Sequence, residues 1–157
     1  MSDINILWVR ADNRLVHGQV GCQWAGKIGP NLIVVADDEA AEDKAQQSLM
    51  AMTAKMSNSD IRFFSLQKCA EIIHKASPRQ KIFLVVRNPK SARYLVENGV
   101  PIKELNIGNQ HFSEGKVVSK ESHVYFDDND IADIEAIKAA GVRVFIQIAP
   151  GDRQYEL

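Results

Sequence analysis

The 157-residue chain carries 19 Lys+Arg against 20 Asp+Glu, a formal net charge of −1, with 45% hydrophobic and 25% charged residues. That composition suits a soluble globular domain and speaks against a basic nucleic-acid binder; the longest apolar runs, 32–36 and 82–86, are strand-length and far short of a membrane span. Cys22 and Cys69 make neither a disulfide framework nor a four-ligand metal site, and Met1-Ser2-Asp3 opens without the basic and apolar stretches of a secretory leader.

Residues 4–9 predict a first strand, followed by the polar turn Arg10-Ala11-Asp12-Asn13-Arg14. Residues 17–27 read as a helix whose Val20, Trp24 and Ile28 share one face, broken at Gly29-Pro30-Asn31. A second strand covers 32–36, and Asp37-Asp38 ends it and caps a helix over 39–56. A short strand over 60–65, a helix over 66–76 and a strongly apolar strand over 81–86 come next. Asn88-Pro89 opens a helix by the cap-then-proline rule, with Ala92, Leu95 and Val96 facing inward and Asn98-Gly99 closing it. Residues 105–107 predict a short strand leading into Gly108, and 109–122 is irregular, with a small strand at Val117-Val118. Another strand is expected over 124–126, then a helix capped by Asp127-Asp128 and ended by Gly141, then a last strand over 142–148.

Strand–helix alternation with continuously apolar strands predicts an α/β fold, a three-layer α/β/α sandwich around a mostly parallel sheet of about six or seven strands. No repeat or linker divides the chain, so 1–157 reads as a single domain. Ligands of such sheets sit outside the carboxyl ends of the strands, which directs attention to the turn after the first one.

That turn lacks the glycine spacing of a dinucleotide fingerprint, and Gly26-Lys27 is followed by Ile28 rather than the Ser or Thr of a phosphate loop. It offers His17 at a helix start, where backbone N–H groups and the dipole favour an anion, with Arg14 three residues earlier as a forked donor. A neutral imidazole is nucleophilic, and those donors would stabilise a phosphoryl group carried on it. The residues suit a transient phosphohistidine.

The stretch Arg10-x-Asp12-x-Arg14-Leu15-x-His17-Gly18-Gln19-Val20 closely resembles the active-site signature of the IIB subunits of the sugar phosphotransferase system, mannose/fructose/sorbose family. The likeness continues through residues 32–38, through 99–108 and through Gly141-Val142-x-Val144 with Gln147 and Pro150. It implies a phosphotransferase that accepts a phosphoryl group from a IIA component and passes it to a sugar entering through the IIC and IID membrane subunits. On that resemblance His17 is the phosphohistidine, carrying the group on Nδ1, and Arg14 the phosphate clamp. The backbone of Gly18, Gln19 and Val20 could complete the oxyanion cradle, and no metal or other cofactor is expected. Asp12 is a supporting candidate with no assigned role, orienting Arg14 or the imidazole being one option. A cytoplasmic site at the inner face of the plasma membrane, held there by the permease subunits, and self-association are implied too. The sugar is left open among mannose, fructose, sorbose and amino sugars, with the overall resemblance leaning to N-acetylgalactosamine. Asn109-Gln110 and 52–56 depart from the family pattern, and both are expected at the rim of the site.

Other residues have plainer readings. Ser65 and Arg87 follow strands and are candidate phosphate contacts bordering the pocket. Arg10, Arg14 and Lys27 are candidates for steering a donor protein. His74, His111 and His123 are expected at the surface or in structural positions. A rival reading makes the chain a non-catalytic receiver-like or small-ligand-binding module with magnesium at Asp37 and Asp38, although Asp38 equally serves as a helix cap.

Overall fold

The computed structural model describes residues 4–157, so the reading of Met1-Ser2-Asp3 lies outside the described residues. Seven strands form one sheet in the order β3-β2-β4-β1-β5-β8-β9: β1 (Asn5–Ala11), β2 (Leu32–Ala36), β3 (Asp60–Phe64), β4 (Lys81–Val86), β5 (Glu104–Ile107), β8 (Arg143–Ile146) and β9 (Tyr155–Glu156). Every neighbouring pair is parallel except β8 with β9. The sheet is the expected mostly parallel one, and helices cover both its faces.

Alternation along the strands divides the core into two layers. Val9, Val34, Leu84, Ile107 and Val144 face α4 (Leu66–Ile72), α5 (Pro89–Glu97) and α6 (Asp128–Ala139), burying Cys69, Leu95, Ile134 and Ile137. Ile33, Val35, Phe83 and Val85 face the other way, against a π-helical segment (Gln19–Trp24), α1 (Ala25–Ile28), α2 (Asp38–Ala41) and α3 (Lys44–Met56). Burial pushes the Cys69 thiol up to about 12, as suits a small core side chain. Among the described residues no helix is long and apolar enough to cross a membrane.

The structure departs from the sequence expectations at several junctions. β1 runs on to Ala11, with Arg10 paired to Val85 on one side and Asn106 on the other, so the turn is shorter than expected. The helix expected over 39–56 is two helices, because the Asp43 carboxylate accepts from the Gln46 N–H and starts α3 afresh. Gln47 Nε2 then donates to the carbonyls of Ala40 and Ala41, stapling the break. The strand expected over 124–126 is only β7 (Tyr125–Phe126), and it pairs with β6 (Val117–Val118) in a separate hairpin, since β8 takes the place beside β5. β8 stops at Ile146 because the next two carbonyls, of Gln147 and Ile148, turn to Arg10. The short antiparallel edge β9 carried no apolar run to announce it.

Candidate active site

At the carboxyl end of β1 the chain must leave the sheet without stranding buried polar groups. The Leu15 N–H donates to the Asp12 carbonyl at 2.9 Å, closing a turn, while Asp12 Oδ1 accepts from the Arg14 N–H at 3.0 Å. Leu15 is held at φ 55°, a left-handed conformation costing a leucine about 1 kcal/mol or more. Its side chain is 2% exposed among Val16, Val20 and Trp24, and burial worth about 2 kcal/mol offsets the strain. Asn13 ties the turn to its neighbours: Nδ2 donates to the Arg87 carbonyl and to Gln110 Oε1, and Oδ1 accepts from the His111 N–H.

Beneath the turn lies a saturated guanidinium. Arg10 is fully buried, and its five N–H donors reach Asp12 Oδ2 from Nε and Nη2, Asn106 Oδ1 and the Gln147 carbonyl from Nη1, and the Ile148 carbonyl from Nη2. Trp24 stacks on the same group, 4.8 Å from ring centroid to Cζ. Burial pushes Arg10 down to about 10 even with Asp12 beside it, so it stays charged at neutral pH. Gly108 permits this packing, since a Cβ there would lie 2.1 Å from Nη2. Arg10 is therefore an internal strut, and its expected role in steering a partner is withdrawn.

Asp12 is the hub. Burial by itself would raise its carboxyl, but the His17 contact, the Arg10 charge, the Arg14 N–H and the Asn109 amide together hold it well below the usual carboxylate range. An ionised carboxylate only accepts, so the proton in the 3.4 Å contact between His17 Nε2 and Asp12 Oδ2 sits on Nε2. That leaves the lone pair on Nδ1, which accepts the Gln19 N–H at 3.3 Å. The His17 side chain is 19% exposed. Beside it, a Cβ added to Gly18 would meet nothing within 4 Å, so the approach to the helix start is open. Arg14 is 44% exposed, with Nε 3.7 Å from Asp12 Oδ1 and Nη2 donating to Gln19 Oε1 at 3.4 Å, both long contacts that an anion can replace. Chemically the cluster offers an unprotonated ring nitrogen, backbone N–H groups and a loosely held guanidinium around one open space.

The structure thus gathers Asp12, Arg14, His17, Gly18 and Gln19, with Val20 buried just behind them. Ser65 does not join them. It ends β3, three strand positions from β1 and so about 14 Å away across the sheet, and its hydroxyl caps α4 by accepting from the Lys68 N–H. Arg87 is near but turned away: Nε and Nη2 face Asp37, and Nη1 donates to the Asn13 carbonyl, so it braces the turn and is not free for a phosphate. The magnesium reading fails on donors. Asp37, not Asp38, caps α2 by accepting from the Ala40 N–H, and Arg87 holds both its oxygens, while Asp38 accepts from the Leu66 N–H. His74, His111 and His123 are exposed, the last paired with Glu121.

Asn109 and Gln110 are not rim residues. Both are buried; Asn109 Nδ2 donates to Asp12 Oδ2 at 3.1 Å, and Gln110 Nε2 donates to the Arg87 and Asn109 carbonyls. With Arg10, Asn13 and Asn106 they form the inner support that sequence reasoning missed. The available signal was their place just past or near the end of β5, next to β1.

Residues 6–157 match the family described as PTS system sorbose subfamily IIB component. The chain is 52% identical over 157 residues to the N-acetylgalactosamine-specific phosphotransferase enzyme IIB component 1 of Escherichia coli (strain K12), spanning 100% of this chain and 99% of that protein. It is 44% identical over 153 residues to component 2 of the same organism, spanning 98% and 96%. The crystal structure of the N-acetylgalactosamine-specific IIB component 1 from Escherichia coli superposes with a TM-score of 0.93, covering 98% of this chain and 99% of that one.

Proposed function

The chain belongs to the sorbose subfamily of phosphotransferase-system IIB components, phosphotransferases of sugar uptake, and on that premise we propose that residues 1–157 work as one carrier domain with His17 as its phosphoryl-bearing residue. His17 Nδ1 attacks phosphorus held on a histidine of the IIA component; the new N–P bond forms as the donor's N–P bond breaks, and the electron pair returns to the donor ring. In the second step a sugar hydroxyl presented by the IIC and IID membrane subunits attacks the same phosphorus. The His17 N–P bond breaks, the hydroxyl proton passes to solvent or a base of the acceptor site, and Nδ1 regains its lone pair.

The observation that carries this reading is the geometry at the ring: His17 Nε2 faces the Asp12 carboxylate, which places the proton there, and Nδ1 faces the Gln19 N–H at an open helix start. Arg14, with the N–H groups of Gly18 and Gln19, neutralises the phosphoryl oxygens, and positioning with charge neutralisation is most of what phosphoryl transfer requires. The sugar is N-acetylgalactosamine, the specificity carried by both Escherichia coli relatives. Its working place is the cytoplasmic face of the membrane, reached by docking to the permease subunits.

His17→Ala abolishes labelling from the phosphorylated IIA component, whereas His74→Ala, His111→Ala and His123→Ala are labelled like the wild type. Labelled His17→Ala protein would overturn the assignment. Sugar-panel assays with the cognate membrane subunits test the specificity, and preferential phosphorylation of another sugar defeats that part.

A further inference from the structure

Of the seven large hydrophobic side chains exposed among the described residues, three lie on α3: Leu49, Met52 and Met56, exposed by 65%, 68% and 73%. Spaced at i, i+3 and i+7, they line one face of the helix, while Met50 and Ala54 enter the core. The stripe begins at the site. Leu49 lines a shallow cavity of about 220 Å³ with Arg14, Asn13 and Leu15. Thr53, beside the stripe, packs so closely on the π-helical segment that a Cβ at Gly21 would lie 2.1 Å from Thr53 Cγ2. The apolar surface is therefore continuous with the turn before His17 and the helix after it. Within its residues α3 carries Lys44 and Lys55 and no acid, Arg14 adds a cation at the near end, and the exposed acids Glu42 and Asp43 lie only before its first residue.

We propose that the Leu49–Met52–Met56 face of α3 is the docking surface for the phosphoryl-donor protein, which meets it with an apolar patch rimmed by acidic side chains. This rests on the phosphocarrier reading. Transfer between two imidazoles puts the donor nitrogen and His17 Nδ1 on opposite sides of one phosphorus, so the donor's surface must lie over the Arg14–His17 turn. Even a small transient interface covers roughly 500 Å² per partner, more than a single turn provides, and α3 is the apolar surface continuous with it. Interface centres are poor in charge and rich in methionine, whose flexible thioether packs against differing partners, as a carrier that must release one protein and meet another requires. The lysines and Arg14 form a basic rim that steers an acidic partner and screens with salt.

The test measures initial rates of phosphoryl transfer from the radiolabelled, phosphorylated IIA component to the full chain carrying Leu49→Glu or Met52→Glu. Ile131→Glu, on α6 across the sheet, is the control. KM for the phosphorylated IIA component is expected to rise about tenfold or more in both α3 variants with kcat within about twofold, because truncating an interface centre weakens binding and not chemistry. Ile131→Glu is expected to keep the wild-type KM, and thermal melts of all three to stay close to wild type. An unchanged donor KM in both α3 variants overturns the proposal. So does loss confined to sugar phosphorylation by the membrane subunits, which would make them the occupant. A wild-type dimer by light scattering that the variants dissolve, with donor KM unchanged, would assign the face to a second copy. A wild-type chain that takes no label at all defeats the phosphocarrier reading itself, a result distinct from these.

Discussion

Two neighbouring strand ends carry the same ingredients and use them differently. At the end of β1 an aspartate meets an arginine, and at the end of β2 Asp37 meets Arg87 at 2.7 Å. Asp37 meets structural donors: one backbone N–H from its own helix and two from a half-buried guanidinium. Asp12 sits deeper, its Arg10 partner is shared with three other acceptor atoms in three residues, and its carboxylate also meets a histidine. A buried pair whose carboxylate also faces a histidine can orient a reactive ring. A pair at a helix cap merely closes a loop.

Asp12→Asn is the most damaging way to break that comparison. It leaves the Arg10 charge buried without a counter-ion, costing about 3–5 kcal/mol in urea unfolding. It also lets an amide N–H face Nε2, which moves the ring proton to Nδ1 and lowers the transfer rate by about 10²–10⁴-fold. The stability part has a pH signature. A carboxyl held below its ordinary value contributes fully above the unfolded carboxylate pKa of about 3.9 and loses its contribution as pH falls through the lower folded value. The deficit of Asp12→Asn is therefore flat above about pH 5 and narrows below it, as pH-dependent unfolding curves of both proteins will show. A deficit that grows on acidification contradicts the hub role.

Gly108→Ala comes next. Its methyl group would enter the Arg10 guanidinium, and the displaced strut should cost about 2 kcal/mol by thermal or chemical unfolding. A neutral substitution there would show that the network tolerates slack. The smallest effect is expected from Arg87→Gln, about 1 kcal/mol because the pair is partly solvated, with transfer kept within about threefold. If phosphotransfer kinetics instead fall more than tenfold, Arg87 belongs to the anion grip and the two strand ends are one site.

Much was legible from the chain alone. Continuous apolar runs such as 32–36 and 82–86 announce parallel strands covered on both faces, and Asn88-Pro89 and Asp127 announce helix starts that the structure caps with those side chains. His17 and Arg14 stood out because a cation and an imidazole near a helix start are local features. The burial of Arg10 did not, because a charge after an apolar run reads as the end of a strand, and acceptors 96 to 138 residues away must join Asp12 to satisfy it. Ser65 misled for the converse reason: its position after a strand was right, but strand order placed that end far from β1.

Periodicity, caps and the histidine turn are short-range properties, written within a few residues and so determined by the sequence itself. Which nitrogen of His17 carries the proton, why Gly108 has no side chain, and which of two aspartate–arginine pairs is free to act were decided only when β1, β5 and β8 came side by side. Desolvation and hydrogen-bond saturation depend on everything within a few ångströms, and that neighbourhood comes into being only when distant segments pack.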